Sequence, residues 1–116
     1  MTQTTSTCLW NDSASIDELK QSLEQGAVGA TCNPVIAVSV IKQEMATWKP
    51  RIQSAVNEWP TATEDEIGWR IVEEMSARAA TLLEPVFDAQ QGHNGRLSIQ
   101  TDPRYFRDTA AIVRQA

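Results

Sequence analysis

The chain has 116 residues, of which 41% are hydrophobic and 22% are charged, and a formal net charge of −5 at pH 7. This composition is typical of a globular domain and argues against disorder. The negative charge argues against nucleic acid as a partner, because phosphates require a basic face. No apolar run approaches the about 18 residues of a membrane span, and the start of the chain does not resemble a secretory signal. We therefore expect one cytoplasmic domain over residues 1–116.

The first predicted elements are a strand, a helix and a second strand. The segment from Thr5 to Asn11 is rich in side chains that suit a buried strand. Ser15-Ile16-Asp17-Glu18 has the pattern of a capping box and predicts the start of a helix, which Gly26 is expected to end. The short run from Ala27 to Thr31 does not alternate between polar and apolar residues, which is typical of a strand covered on both faces.

The middle of the chain is predicted to be helical. Asn33-Pro34 favours a buried helix for the apolar run Val35 to Ile41, because proline is common in the first turn of a helix. The apolar positions between Trp48 and Trp59 predict a second helix, which Pro60 closes. Thr63-Glu64-Asp65-Glu66 is another capping box and predicts the start of a long third helix.

The last elements are a third strand and a final helix. Gln91-Gly92-His93-Asn94-Gly95 is the clearest loop, Arg96 to Thr101 predicts the strand, and Asp108 is expected to cap the helix. Cys8 and Cys32 fall in strand-like runs and are interpreted as buried thiols rather than a disulfide. With one histidine, they make no plausible metal site. The alternation of strands and helices predicts an α/β fold.

A polar residue stands at the end of each predicted strand: Asp12, Asn33 and Gln100. Because parallel α/β barrels display their chemistry at the carboxyl ends of the strands, these three residues are the candidate catalytic residues. The residues alone favour simpler roles. Asp12 suits the start of the turn before the first helix, and Asn33 suits the cap of the helix that Pro34 begins.

The same strand ends resemble those of the transaldolase family. Leu9-Trp10-Asn11-Asp12-Ser13 is similar to the first strand of the family, which ends in a catalytic aspartate. Gly29-Ala30-Thr31-Cys32-Asn33-Pro34 resembles its Gly-x-Thr-x-Asn-Pro segment, and the run from Gly95 to Arg104 resembles its Val-Ser-x-Glu-Val-Asp-Pro-Arg segment. The resemblance implies the N-terminal portion of a TIM (β/α)8 barrel. Since a full barrel has roughly 250 residues, we expect about three β/α units and an incomplete barrel in this chain.

The resemblance also implies a reaction. A transaldolase transfers a dihydroxyacetone unit from sedoheptulose 7-phosphate to glyceraldehyde 3-phosphate through a lysine Schiff base, in the non-oxidative pentose phosphate pathway. Asp12 occupies the family position that moves a proton, and Asn33 occupies the position that hydrogen-bonds the hydroxyl groups of the substrate. The resemblance thus implies sugar phosphates as substrates, no cofactor and no binding to membranes. It also allows a homo-oligomer for the full-length protein.

Gln100 departs from the transaldolase pattern. Most transaldolases carry glutamate at this position, where it works with a bound water. An amide cannot exchange a proton near neutral pH, although it can hold a water. The fructose-6-phosphate aldolase branch resembles this chain in having glutamine, whereas Asp102-Pro103-Arg104 resembles the transaldolase branch. Transaldolase is the first interpretation, and an aldolase is the alternative.

The nucleophile of the family is missing from the matched segment. In the family, the Schiff-base lysine lies on the fourth strand and the phosphate-binding arginines follow it. Lys20, Lys42 and Lys49 are predicted to lie on helix surfaces, where solvated, protonated amines are poor nucleophiles. Arg104 and Arg107 follow the third strand, but solvation at a helix start is the simpler interpretation. We therefore expect the chain alone to be inactive, and a non-catalytic remnant that binds a partner is a further alternative.

Overall fold

The computed structural model describes residues 6–116. Three strands alternate with five α-helices and one 3₁₀ turn at Pro103–Tyr105. In chain order the strands and α-helices are β1 (Trp10–Asn11), α1 (Ile16–Glu24), β2 (Gly29–Cys32), α2 (Pro34–Gln43), α3 (Met45–Glu58), α4 (Glu64–Ala89), β3 (Arg96–Ile99) and α5 (Thr109–Gln115). Within this range, none of the helices is long and apolar enough to cross a membrane.

The strands form a single parallel sheet in the order β1-β2-β3. The central strand, β2, pairs with both neighbours, so that Gly29 lies between Trp10 and Arg96. Two residues further along β2, Thr31 is in register with Ser98 of β3. This architecture confirms the predicted α/β class and is compatible with part of a TIM-barrel-like domain. The number of units in the complete barrel stays a prediction.

One face of the sheet packs against the helices and forms the core. Leu19 on α1 and Met75 and Leu83 on α4 are almost fully buried, and they pack together with Ala30 and Cys32 of β2. Burying a leucine or methionine side chain contributes about 1.5–3 kcal/mol to folding. The long helix α4 contacts α1, α2, α3 and β3, so it joins the third strand to the other helices of the core.

The two predicted capping boxes have different outcomes. At the start of α4, the Thr63 hydroxyl accepts a hydrogen bond from the Glu66 backbone N–H at 3.2 Å, and the Glu66 carboxylate accepts one from the Thr63 N–H at 2.8 Å. The box predicted at Ser15 is wrong. The Ser15 hydroxyl instead donates to Glu44 at 2.9 Å and makes no cap bond. The hydrogen bond to Glu44, which lies 29 residues away in the chain, thus replaces the local cap bond of Ser15.

The strand boundaries also differ from the predictions. β1 is limited to Trp10–Asn11, although the strand was predicted to begin at Thr5, which lies outside the described residues. β3 ends at Ile99, two residues earlier than predicted. Cys8 precedes β1 and is exposed, which corrects the expectation that both thiols are buried, whereas Cys32 is buried in β2. Both cysteines are free.

Gly95 lets the chain turn from α4 into β3, and its replacement is expected to be costly. Its φ is +85°, and an added Cβ would lie 2.3 Å from the Phe87 backbone nitrogen. The matched control is Gly26, which has φ +97° and no atom within 4 Å of an added Cβ. Both Gly→Ala variants carry the cost of a left-handed conformation, about 1–2 kcal/mol.

Only Gly95→Ala adds a steric clash, which typically costs about 1–3 kcal/mol more. We therefore expect Gly95→Ala to lower the free energy of unfolding further than Gly26→Ala does, as measured by urea denaturation. Equal losses in the two variants would contradict the proposed steric role of Phe87.

Candidate functional site

The two faces of the sheet differ in what covers them. Ala30, Cys32 and Leu97 belong to the face that packs on the helices. Because side chains alternate along a strand, Thr31 and its neighbour Ser98 point to the opposite face, and they are half-buried and exposed respectively. We call this second surface the open face. Thr31 and Ser98 lie near the carboxyl ends of their strands, and the residues that follow the three strands lie at this same edge of the sheet.

Asp12 follows β1 directly and is exposed. Its carboxylate oxygen Oδ1 accepts a hydrogen bond of 2.6 Å from the Thr31 hydroxyl on β2. The preceding residue, Asn11, fixes the turn from the other face of the sheet. Its amide nitrogen donates to the Ser13 carbonyl at 2.9 Å, and its amide oxygen accepts from the Ser22 hydroxyl of α1 at 2.7 Å. The position of Asp12 is thus determined through both its backbone and its side chain.

Asn33 lies between the end of β2 and the start of α2. Its side-chain oxygen accepts a hydrogen bond of 2.9 Å from the Ile36 backbone N–H, so the predicted helix cap is confirmed. The cap uses the amide oxygen only. The amide nitrogen has no hydrogen-bond partner within residues 6–116 and is free to donate. A role in capping is therefore compatible with a role in binding.

Gln100 is exposed and follows the last residue of β3. Cys32 and Ile99 are paired in the sheet, so Asn33 and Gln100 are the next residues along two neighbouring strands. The structure therefore places all three candidate residues at the carboxyl edge of the sheet. Only Asp12 is joined to a neighbouring strand by a side-chain hydrogen bond there. Within residues 6–116, the Gln100 side chain makes no hydrogen bond.

Cys32 is next to the site but is not a nucleophile in this environment. Its side chain is 2% exposed. Burial raises the pKa of the thiol, and the nearby negative charge of Asp12 raises it further. The thiol therefore stays protonated near neutral pH, and the thiolate is the reactive form of cysteine.

The segment after Gln100 contains an ion pair, between the buried carboxylate of Asp102 and the exposed side chain of Arg104, that the sequence did not indicate. Asp102 is 2% exposed and accepts a hydrogen bond from Arg104 Nε at 2.8 Å. This bond is the main cause that lowers the pKa of the Asp102 carboxyl. Arg104 also donates to Asp65 on α4 at 2.6 Å. Arg104 lies in the 3₁₀ turn at Pro103–Tyr105 and its side chain is 47% exposed, which confirms its predicted exposed position at a helix start. The two carboxylates engage its guanidinium group there.

The three lysines lie away from the strand ends. Lys20 is on α1, Lys42 on α2 and Lys49 on α3, and all three are exposed. This confirms their predicted helix-surface positions. Within residues 6–116, the carboxyl edge of the sheet thus holds a carboxylate and two amides but no lysine amine.

Comparisons with known proteins agree on one family. A family model described as transaldolase/fructose-6-phosphate aldolase matches residues 9–116. The chain is 32% identical over 102 residues to transaldolase 2 of Streptomyces avermitilis, covering 80% of the chain and 24% of that protein. It is 28% identical over 123 residues to a transaldolase of Thermobifida fusca, covering 93% of the chain and 30% of that protein. Transaldolase 2 of Streptomyces coelicolor is 35% identical to the chain over 94 residues, covering 80% of the chain and 24% of that protein.

The chain therefore spans between 24% and 30% of the length of these three relatives. No solved structure gives a significant match.

The cap at Asn33 can be tested separately from any activity. Asn33→Ala removes the cap oxygen and should lower the free energy of unfolding by about 1 kcal/mol. Asn33→Asp keeps an oxygen in the same place, and aspartate is an equally good cap residue, so its stability should stay within about 0.5 kcal/mol of the original. Chemical denaturation of the 116-residue chain measures both. An equal loss in the two variants would show that the amide nitrogen, rather than the cap oxygen, stabilises this turn.

Proposed function

Because the chain belongs to the transaldolase/fructose-6-phosphate aldolase family, we propose that its carboxyl sheet edge forms part of a transaldolase active site. The reaction is transfer of a dihydroxyacetone unit from sedoheptulose 7-phosphate to glyceraldehyde 3-phosphate, in the cytoplasmic non-oxidative pentose phosphate pathway. The observation that supports this most is the convergence of Asp12, Asn33 and Gln100 on one edge of a parallel sheet. Their polar groups suit proton transfer and the binding of hydroxyl groups.

The chemistry begins with a lysine amine that condenses with the ketose carbonyl and releases water. The resulting iminium accepts the electron pair of the adjacent carbon–carbon bond as that bond breaks. Asp12 takes the proton from the hydroxyl beside the breaking bond, so that an aldehyde leaves and an enamine remains. In the second half, the enamine attacks the acceptor aldehyde and Asp12 returns the proton to the new hydroxyl.

Asn33 and Gln100 bind rather than transfer protons in this mechanism. The free amide nitrogen of Asn33 donates to a substrate hydroxyl near the imine, while its oxygen stays in the helix cap. Gln100 holds a water at the end of β3, because an amide can donate and accept hydrogen bonds without a change of charge. Asp12 is then the acid–base group of this edge.

The amine of this mechanism has to come from polypeptide outside these 116 residues. Lys20, Lys42 and Lys49 are exposed on three different helices, and none lies at a strand end. We therefore expect the chain alone to form no imine with a ketose phosphate. Activity belongs to the native protein or complex that contains these residues, which we call the native enzyme.

Two alternatives rest on specific observations. Glutamine at position 100 favours an aldolase-type enzyme, which cleaves a ketose phosphate without transfer to a second sugar. A partner-binding chain is favoured by a groove of about 580 Å³ along α4 and the β3 edge. Phe87, Leu97 and Ile99 contribute apolar side chains to this groove, and nothing within residues 6–116 pairs with the outer edge of β3.

Replacement of Asp12 should separate imine formation from bond cleavage. In the native enzyme, Asp12→Ala is expected to lower kcat by about 10²–10⁴-fold, the usual contribution of general acid–base catalysis. Imine formation precedes the step that Asp12 serves, so borohydride should still trap an adduct with sedoheptulose 7-phosphate. Turnover is followed by coupled assay, and the modified lysine is located by mass spectrometry.

Three results would contradict this proposal. A kcat retained in Asp12→Ala would leave Asp12 with a structural role only. An adduct on Lys20, Lys42 or Lys49 would place the nucleophile on a helix surface. A native enzyme that forms no adduct with any ketose phosphate would favour the partner-binding alternative.

Gln100→Glu tests which branch the enzyme belongs to. If Gln100 holds a water as proposed, the new carboxylate can also exchange a proton with that water. We expect the pH–rate profile to shift, and the ratio of sugar transfer to free aldehyde release to change. Both are measured with and without glyceraldehyde 3-phosphate as acceptor. An unchanged ratio and pH profile would show that residue 100 takes no part in the reaction.

A further inference from the structure

Asp12 owes its orientation to a single side chain of the neighbouring strand. The Thr31 hydroxyl donates to Asp12 Oδ1 at 2.6 Å, across the β1–β2 pairing. We propose that Thr31 is a positioning residue that holds the carboxylate of Asp12 in its working orientation. The inference rests on the proposed function, because it concerns the same proton-transfer group.

The bond has the properties that a positioning contact needs. Hydrogen bonds from a hydroxyl to a carboxylate are short and about twice as strong as those between neutral groups, and 2.6 Å lies in that range. Asp12 is exposed, so without this bond solvent would compete for its carboxylate. Threonine is also a suitable support, since its branched side chain is restricted at χ1.

The backbone that carries Thr31 is well supported. Thr31 lies in the central strand, which pairs with β1 on one side and β3 on the other. Both flanking residues of Thr31, Ala30 and Cys32, are buried in the core at 0% and 2% exposure. A side chain on this strand is therefore attached to one of the best-fixed segments of the molecule.

The two carboxylate oxygens of Asp12 have different roles in this proposal. Oδ1 of Asp12 accepts from Thr31, whereas Oδ2 has no partner within residues 6–116 and is available for proton transfer. Asn11 supports the same residue independently, because its amide holds the turn to Ser13 and to Ser22 of α1. Asn11 therefore places the backbone of Asp12, and Thr31 sets the direction of its side chain.

Thr31→Val tests the inference, since valine keeps the branched shape and removes the hydroxyl. In the native enzyme we expect kcat to fall by about 10–100-fold, because a misplacement of about 1 Å can cost 10²-fold. KM should change little, since the lost interaction serves the transition state. Thr31→Ser keeps the donor and should restore most of the rate.

The matched control is Thr81→Val on α4. The Thr81 hydroxyl is exposed and donates to the Ala77 carbonyl of its own helix at 3.1 Å, so its loss should leave kcat unchanged. A double variant gives the sharpest result. If Thr31 acts through Asp12, Thr31→Val should cause no further loss in an Asp12→Ala background.

The 116-residue chain offers a readout that does not depend on activity. The ¹³C resonance of the Asp12 carboxylate should shift in Thr31→Val, return in Thr31→Ser, and stay in place in Thr81→Val. Unfolding curves of the same proteins show whether the substitutions act on stability instead.

The outcomes separate this inference from the proposed function. Full kcat in Thr31→Val, with Asp12→Ala impaired, would overturn the positioning role and leave the proposed function intact. So would a loss of rate that Thr31→Ser fails to restore, or losses that add in the double variant. An unmoved Asp12 resonance in Thr31→Val would show that the hydrogen bond is not formed. Full activity in Asp12→Ala would overturn both proposals.

Discussion

The parallel pairing of β2 with both of its neighbours is the constraint on which the site depends. Since the three strands run in one direction, the residues that follow them reach the same edge of the sheet. Within residues 6–116, the helices pack on the face where Ala30 and Cys32 are buried. This leaves Thr31, between them in the sequence, directed to the open face, where its hydroxyl reaches the carboxylate of Asp12. The bond from Thr31 to Asp12 therefore follows from strand alternation and register together.

Several groups at this edge serve the fold and the proposed chemistry at once. Asn33 uses its oxygen for the cap of α2, which leaves its nitrogen for a substrate. Asn11 is bonded through both ends of its amide and joins the turn after β1 to α1. Cys32 stays neutral because burial and the charge of Asp12 both raise its pKa. A packed sheet thus prepares the site without a nearby thiolate that would compete for the substrate.

The features that could be predicted from sequence are those set by short-range interactions. The capping box at Thr63, the cap at Asn33 and the cap at Asp108 each need partners within three residues, and the structure contains all of them. The α/β class and the order of strands and helices also follow from local patterns. In contrast, the Ser15 hydroxyl bonds Glu44, which is 29 residues away, and Arg104 bonds Asp65, which is 39 residues away. Such partners depend on how distant helices pack, so local pattern alone cannot identify them. The sequence also could not identify Thr31 as the hydrogen-bond partner of Asp12, because that contact depends on the register of β1 against β2.

The neutral hydrogen-bond partner of Asp12 has an electrostatic advantage in the proposed reaction. An aspartate and a lysine in direct contact would form an ion pair, which holds the amine in its protonated, unreactive form. Here Asp12 is bonded to a neutral hydroxyl, and the lysines of this chain lie on helices away from the edge. A neutral donor orients the carboxylate without cancelling its charge. The charge of Asp12 is then available when a positive iminium forms nearby, and it stabilises that cation most strongly when the substrate has excluded water. The same neutral contact leaves the second carboxylate oxygen free to accept the proton.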